Sequence, residues 1–479
     1  MSAARPREWR LPIAGERLTT TEFDDVVDPF TGELYARVPL AGPAEMERAI
    51  AAAVEASREL RALPTHRRVD ILLGIVEGIR GRADELAETM TRESGKPIQY
   101  ARGEVQRALQ TFALGADEAR GLGGGILPAD LEPRTEGYFT LYQRFPIGPV
   151  SAIAPFNFPL NLVAHKLSPA YAAGNPVVLK PPMQSPVTSL ELAEICFQAG
   201  LPPRALSVVH SRPEVAERLA TDERFALLSF TGSARVGWHL KNIAGRKRVL
   251  LELGGNGGAI VHEDADLEWA AGRCALGAFA MSGQNCIRIQ RLLIHHPAYD
   301  RFLERFLNDV RRLKWGNPME EDTVVGPLID TAAADRVMRW IEEAVDAGAQ
   351  VLLGGGRHGN VIEPTVLSAT RPEMKVEREE IFGPVVTVRA CDDFEQALAL
   401  TNQSDYGLQA GVFTRDVRRI WQAFRELEVG GVIVNDYPML RVDNYPFGGV
   451  KQSGFGREGV RFAVQEMTEL KAMVLNLNR

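Results

Sequence analysis

Three polar groups in this chain stand in settings suited to chemistry on a carbonyl. Cys286 lies in Ser282-Gly283-Gln284-Asn285-Cys286-Ile287, a small polar turn after an apolar helical stretch at residues 274–281. Glu252 closes the strand-like run Leu250-Leu251-Glu252-Leu253, ahead of Gly254-Gly255-Asn256. Asn157 stands between Pro155 and Pro159. A thiol can attack a carbonyl carbon, a carboxylate can activate water, and an amide can steady an oxyanion. Distance along the chain is no objection, because sites assemble in space. Each group also has a plainer reading. A buried cysteine is more often an apolar filler, and only a thiolate is a strong nucleophile. Glu252 could form a buried ion pair with Lys247 or Arg248. Left unpaired, it would be costly to bury as a charge, and burial would raise its pKa toward that of a useful base.

Two further segments suit a phosphate or ribose. Phe230-Thr231-Gly232-Ser233 follows a strand and opens a helix, so Gly232 permits a tight turn and Ser233 offers a hydroxyl at the helix start. The spacing is not G-x-G-x-x-G, and an ordinary capped helix explains it equally well. Lys180 ends the strand Pro176-Val177-Val178-Leu179-Lys180, from which it could reach a ribose or phosphate or simply meet solvent.

These residues need a scaffold. From Val150 onward, short apolar runs recur at residues 151–154, 177–179, 206–209, 227–230 and 249–251, with helical patterns at 186–199 and 234–243 between them. That alternation predicts a parallel doubly wound sheet, which binds ligands beyond its carboxyl ends. A second α/β series follows Gly255, with strands at 259–261, 291–294, 351–353, 385–388 and 432–434 and helices at 267–281 and 299–313. Earlier, Met46, Ala49, Ile50, Ala53 and Val54 predict one helical face, and Val69, Leu72, Leu73, Val76 and Ile79 another, with Thr65 as cap. The glycine clusters at 121–125 and 354–356 read as loops. Residues 138–142 and 471–477 are strand-like with no place in either unit, which suggests edges that pair with another subunit.

Composition narrows the function. With 479 residues, 45% apolar and 24% charged, the chain has room for about three domain-sized units. Its net charge of −7 and interspersed signs give no basic face for nucleic acid. The start, Met1-Ser2-Ala3-Ala4-Arg5, is not that of a signal peptide. The uncharged stretch 145–164 carries four prolines and two asparagines, so it reads as strand plus loop, not a membrane helix. Four cysteines without a C-x-x-C pair fit reduced thiols and a cytoplasmic protein. His295 and His296 would point to opposite faces of a strand, so no metal site is expected.

Taken together and in order, the segments resemble the aldehyde dehydrogenase superfamily along essentially the whole chain. The matching pieces are Asp28-Pro29-Phe30-Thr31-Gly32, Glu93-Ser94-Gly95-Lys96-Pro97, Pro155 to Pro159, Lys180-Pro181, Phe230 to Ser233, Leu251 to Asn256, Gly283 to Cys286, Glu379-Glu380-Ile381-Phe382-Gly383-Pro384 and Pro446-Phe447-Gly448-Gly449-Val450-Lys451. Residues 156–166, with Cys286-Ile287 and Gln290-Arg291, are loosely similar to the lactaldehyde and non-phosphorylating glyceraldehyde-3-phosphate dehydrogenase branch.

The resemblance implies an NAD(P)-dependent oxidation of an aldehyde to an acid. Cys286 would be the nucleophile, Asn157 would stabilise the oxyanion, and Glu252 would activate the hydrolytic water. Phe156, Lys180, Gly232, Ser233, Glu380 and Phe382 would bind NAD or NADP. Phe158, Leu162, His165, Ala280, Asn285, Ile287 and Phe447 would form the substrate pocket, and Glu458 matches a carboxylate sometimes placed on a proton path. It also implies a dinucleotide-binding domain at 1–122 and 147–253, a catalytic domain at 254–449 and oligomerisation strands at 123–146 and 467–479, with 450–466 returning to the body. A homodimer or homotetramer is expected. Many NAD-preferring relatives carry glutamate where this chain has Met183, so NADP is allowed, and Arg212 could attract its 2′-phosphate. Arg107, Arg288 and Arg441 could meet an anionic substrate or serve structural ion pairs. Loss of cysteine, glutamate or asparagine would have pointed to a silent binding protein on the same fold. Retention of Glu252 argues for water over coenzyme A as acyl acceptor, and the cofactor matches argue against a cofactor-free esterase.

Overall fold

Val150–Ile153, Val177–Lys180, Leu206–Val208 and Leu227–Thr231 are buried along their whole length, as strands covered by helices on both faces must be. With Arg248–Glu252 and the short antiparallel Gly454–Phe455 they form a six-stranded sheet. The structure, a computed structural model, describes residues 7–478. Spatial order runs 206–208, 177–180, 150–153, 227–231, 248–252, 454–455. The order reverses beside Val150–Ile153, the kind of switch point where a crevice opens. Register aligns the carboxyl ends: Ile153 lies opposite Lys180 and Phe230, and Thr231 opposite Glu252.

The second α/β unit is a seven-stranded sheet. Its order is Gln350–Leu353, Thr365–Ser368, Val385–Cys391, Ile289–His295, Gly257–Val261, Gln409–Phe413, Gly431–Val434, parallel except for the first. Each sheet has its own apolar core. A third, antiparallel sheet joins Thr468–Asn476, Tyr138–Pro146 and Gly124–Leu127. Two α/β units plus a small β-extension is the architecture expected from the sequence.

Several local expectations change. Gly124 and Gly125 belong to a strand, not a loop, because the backbone of Tyr138–Pro146 recruits them. Val54 and Leu73 are exposed at the margins of their helical stripes. Within Thr65–Gly81, Ile71 and Ile75 are buried where Leu73 is not. Thr65 is the first helical residue, Pro64 precedes it, and the threonine hydroxyl accepts from Arg68 instead of capping. The uncharged stretch gives way to a helix at Asn161–Ala173, every residue of which is buried. Among the described residues no helix is long and apolar enough to cross a membrane.

Candidate active site

Two cavities meet at Cys286. The larger, about 500 Å³, lies beyond the carboxyl ends of the six-stranded sheet and is lined by Lys180, Ser233 and Glu252 among others. Its opposite wall, with Cys286, Glu380 and Phe382, comes from segments that precede strands Ile289–His295 and Val385–Cys391. The first sheet therefore presents carboxyl ends and the second amino ends. The smaller cavity, about 250 Å³, is lined by Phe158, Ala280, Ile287, Arg107, Arg441 and Phe447 among others. Cys286 and Leu162 belong to both linings.

The thiol turn is tightly specified. Helix Leu267–Phe279 stops two residues short of the expected Met281, and a 3₁₀ turn, Ala280–Gly283, follows. Met281 and Ser282 have positive φ of 55° and 59°. Gly283 is also left-handed, and a side chain there would collide with the Gly383 carbonyl. The Asn285 side-chain oxygen accepts from the Ile287 N–H at 3.0 Å. Asn157 Nδ2 donates to the Gln284 carbonyl at 3.0 Å, tying its loop to the turn that carries the thiol. Burial, then the nearby Glu380 and Glu252 charges, push the half-buried Cys286 thiol up to about 12.

Glu252 ends its strand buried, and no hydrogen bond holds its Oε2. Neither expected partner reaches it. Lys247 donates to the Ala220 carbonyl, and Arg248 to Glu466, Thr468 and Glu469. Burial first, then the Glu458 charge, raises its pKa well above the carboxylate range, against Arg441, Lys166 and Arg457. Desolvating a lone carboxylate costs several kcal/mol, so the proton is retained. Gly448 leaves room for it: a Cβ there would lie 2.8 Å from Glu252 Oε1.

The larger cavity also has donors without full partners. Ser233 occupies the N-cap of helix Ala234–Ile243 without using its side chain there. Buried Lys180 donates to the Pro181 carbonyl at 3.1 Å, and burial brings its pKa down to about 8. Glu380 accepts from the Gly255 N–H at 2.9 Å, and burial raises its carboxyl to about 7. Phe382, held at φ 49°, meets Phe156 edge-on with ring centroids 5.8 Å apart.

Residues 18–473 match the aldehyde dehydrogenase family. The chain belongs to that family. It is 41% identical over 477 residues to the 3-sulfolactaldehyde dehydrogenase of Priestia aryabhattai, covering 99% of this chain and 100% of that one. Aldehyde dehydrogenase 21 from Physcomitrella patens, solved with its reaction product succinate, superposes with a TM-score of 0.96 at 43% identity over 99% of both chains. The NADP-dependent glyceraldehyde-3-phosphate dehydrogenase of Bacillus halodurans, solved with NADP, does so at 0.95 and 35% identity, covering 98% of this chain and 99% of that one.

In this aldehyde dehydrogenase, Phe156, Lys180, Gly232, Ser233, Glu380 and Phe382 all line the larger cavity, as do Asn157 and Glu252. Met183 and Gln184 line it beside Lys180, whereas Arg212 pairs with Glu22 at 3.8 Å and is not on the lining. Phe158, Leu162, Ala280, Asn285, Ile287 and Phe447 line the smaller cavity. His165 does not: it is buried, with Nε2 3.0 Å from Asp443 Oδ1. Arg288 is also off that lining, and donates to the Ile289 and Val385 carbonyls and to Gln290.

A buried network went unread in the sequence. Lys166 donates to Ser229 at 3.0 Å and Thr231 at 2.8 Å, and lies 3.4 Å from Glu458. Arg441 approaches both Glu458 and Asp443 at 3.4 Å. The available signal was a lysine inside a helix with no acidic residue to pair it. Elsewhere, His262, Glu263 and His295 bring three possible metal ligands within 4.8 Å of one another. The two imidazoles stack at 4.5 Å and 15°, which sets their in-plane lone pairs side by side instead of converging on one ion.

Proposed function

We propose that this enzyme oxidises a small aldehyde to its carboxylic acid with NAD or NADP. The observation that carries the reading is the position of Cys286 on the shared wall of two cavities, one suited to a dinucleotide and one to a small substrate. The smaller, at about 250 Å³, is below the roughly 300–1,000 Å³ of sites for drug-sized ligands. The relatives named for sulfolactaldehyde and lactaldehyde support a short substrate.

Polar groups on the cavity wall suit the cofactor. The unclaimed Ser233 hydroxyl at a ten-residue helix's start and Gly232 beside it fit a diphosphate. The underbonded Lys180 ammonium fits ribose hydroxyls. Glu380 would turn from the Gly255 N–H to the nicotinamide ribose, with Phe156 and Phe382 bounding the ring. Bound NAD or NADP supplies an acceptor for the aldehyde's hydride. The loop beside Lys180 offers Met183 and Gln184 and no carboxylate against a 2′-phosphate, so it is compatible with either cofactor.

On this reading Cys286 Sγ gives its proton to solvent water and bonds to the carbonyl carbon, whose C=O π pair moves onto oxygen to give the thiohemiacetal oxyanion. Asn157 and the Cys286 N–H hold that oxyanion. Loss of hydride leaves a thioester on Cys286. Glu252 then takes a proton from water, the water oxygen bonds to the acyl carbon, and the C–S bond breaks. A raised pKa makes Glu252 a stronger base once it is deprotonated. We assign residues 1–122 and 147–253 to cofactor binding and 254–449 to catalysis. The strands within 123–146 and 467–479 would join a homodimer or homotetramer in the cytoplasm, where the four free thiols stay reduced.

A panel of aldehydes with NAD and with NADP tests this, with product analysis. Reduced cofactor together with free acid is expected, and Cys286→Ala should abolish both while retaining cofactor binding. An acyl-CoA product formed only with coenzyme A, or full turnover by Cys286→Ala, would overturn it.

A further inference from the structure

Charge is distributed unevenly around the smaller cavity. Arg107 and Arg441 are on its lining, while the carboxylates that answer them, Asp443 and Glu458, are not. Arg107 forks its Nε and Nη2 onto Asp443 at 3.3 and 2.7 Å, which leaves Nη1 uncommitted. Arg441 has a weaker hold. Its side chain is 5% exposed, its hydrogen bond is Nη2 to Glu458 at 3.4 Å, and its buried Nε lies 3.4 Å from Asp443 Oδ1 without making a hydrogen bond. The guanidinium carbon lies over the Phe447 ring, 3.7 Å from its centre. Glu104, the one carboxylate on the lining, is already saturated. Its Oε1 accepts from the Leu160 and Asn161 N–H groups at 2.9 Å, and Oε2 pairs with Lys96. Near the thiol the wall is apolar, with Ile287 and Phe447.

A buried guanidinium with unmet donors is costly, and an anionic oxygen is the partner that meets them best. We propose that this cavity selects aldehydes carrying an oxyanion, a carboxylate or sulfonate, a few atoms from the carbonyl. Arg441 and Arg107 hold that group while the apolar wall seats the chain between it and Cys286. The inference rests on the aldehyde oxidation proposed above and adds the charge class of its substrate.

The test compares kcat/KM of the full-length enzyme, with its preferred cofactor, for 4-oxobutanoate, 2-sulfoacetaldehyde and uncharged pentanal. At least one anionic aldehyde should exceed pentanal by about a hundredfold or more, because a site built for a polar group rejects analogues lacking it. Arg107→Gln and Arg441→Met should each lower that ratio about tenfold or more, chiefly through KM, as loss of uniform binding does. Arg441→Lys should regain part of it. Should Arg441→Met fail to fold, the wild-type ratio and Arg107→Gln decide. A wild-type ratio near one, or variants that slow all three aldehydes by the same factor, overturns the selection and leaves the oxidation standing. Absence of reduced cofactor with every aldehyde removes the oxidation itself, and the inference with it.

Discussion

Glu252 and Glu458 are buried neighbours in opposite circumstances: Lys166 and Arg441 each lie 3.4 Å from Glu458, and no hydrogen bond holds Glu252 Oε2. Burial raises both carboxyls, but the two cations overcome it at Glu458, whose pKa is lowered, while Glu252 stays well above the carboxylate range. One member keeps its charge and the other its proton, the usual outcome when two carboxylates share a site.

That division sets a pH dependence. The base form of Glu252 is the deprotonated one, so thioester hydrolysis should fall with falling pH at values above those where an exposed glutamate titrates. Glu458→Gln removes a negative neighbour and leaves Lys166, Arg441 and Arg457 facing Glu252. The pKa of Glu252 should then drop, and the midpoint should move to lower pH. Single-turnover hydrolysis measured against pH in both proteins checks this. An unmoved or raised midpoint would count against the coupling.

Replacing Glu252 itself separates two steps. Glu252→Gln should retain a pre-steady-state burst of reduced cofactor while steady turnover falls by about 10²–10⁴-fold, the usual worth of a general base. Loss of the burst would place the residue in hydride transfer instead.

Asn157 is tied to the thiol turn through Gln284. Asn157→Ala should lower kcat by about 10²–10³-fold, as expected for one lost oxyanion donor, and leave cofactor affinity within about twofold by fluorescence titration. A change confined to KM would speak for a packing role.

The Cys286 thiol, pushed up to about 12 in this state, should be nearly all protonated at neutral pH. Inactivation of the cofactor-free enzyme by iodoacetamide should therefore quicken about tenfold per pH unit from pH 7 to 9, following the thiolate fraction. A plateau in that interval would show an activated thiolate already present.

Met183 stands beside Lys180 on the cavity wall. A carboxylate introduced there would repel a 2′-phosphate, so Met183→Glu should raise KM for NADP by roughly tenfold or more relative to NAD. Equal changes for both cofactors would indicate that this side chain is remote from the ribose.

Much of this was legible locally. The strand ends that carry Lys180 and Glu252, the helix start at Ser233 and the turn around Cys286 follow from short apolar runs, breakers and polar insertions, which act over a few residues. The sequence could not show that Asn157 is tied to the thiol turn through Gln284, or that His165 turns from the pocket to Asp443, 278 positions away. The strand at Gly124–Leu127 exists because Tyr138–Pro146 pairs with it, not through its own propensity. Chain order also gives no hint that one sheet would offer carboxyl ends and the other amino ends to the same cleft. Residue types and their near neighbours determined which groups could react. Only the packing of two sheets decided which of them share a cavity and which charges go unanswered, because desolvation and ion pairing depend on neighbours brought together across hundreds of residues.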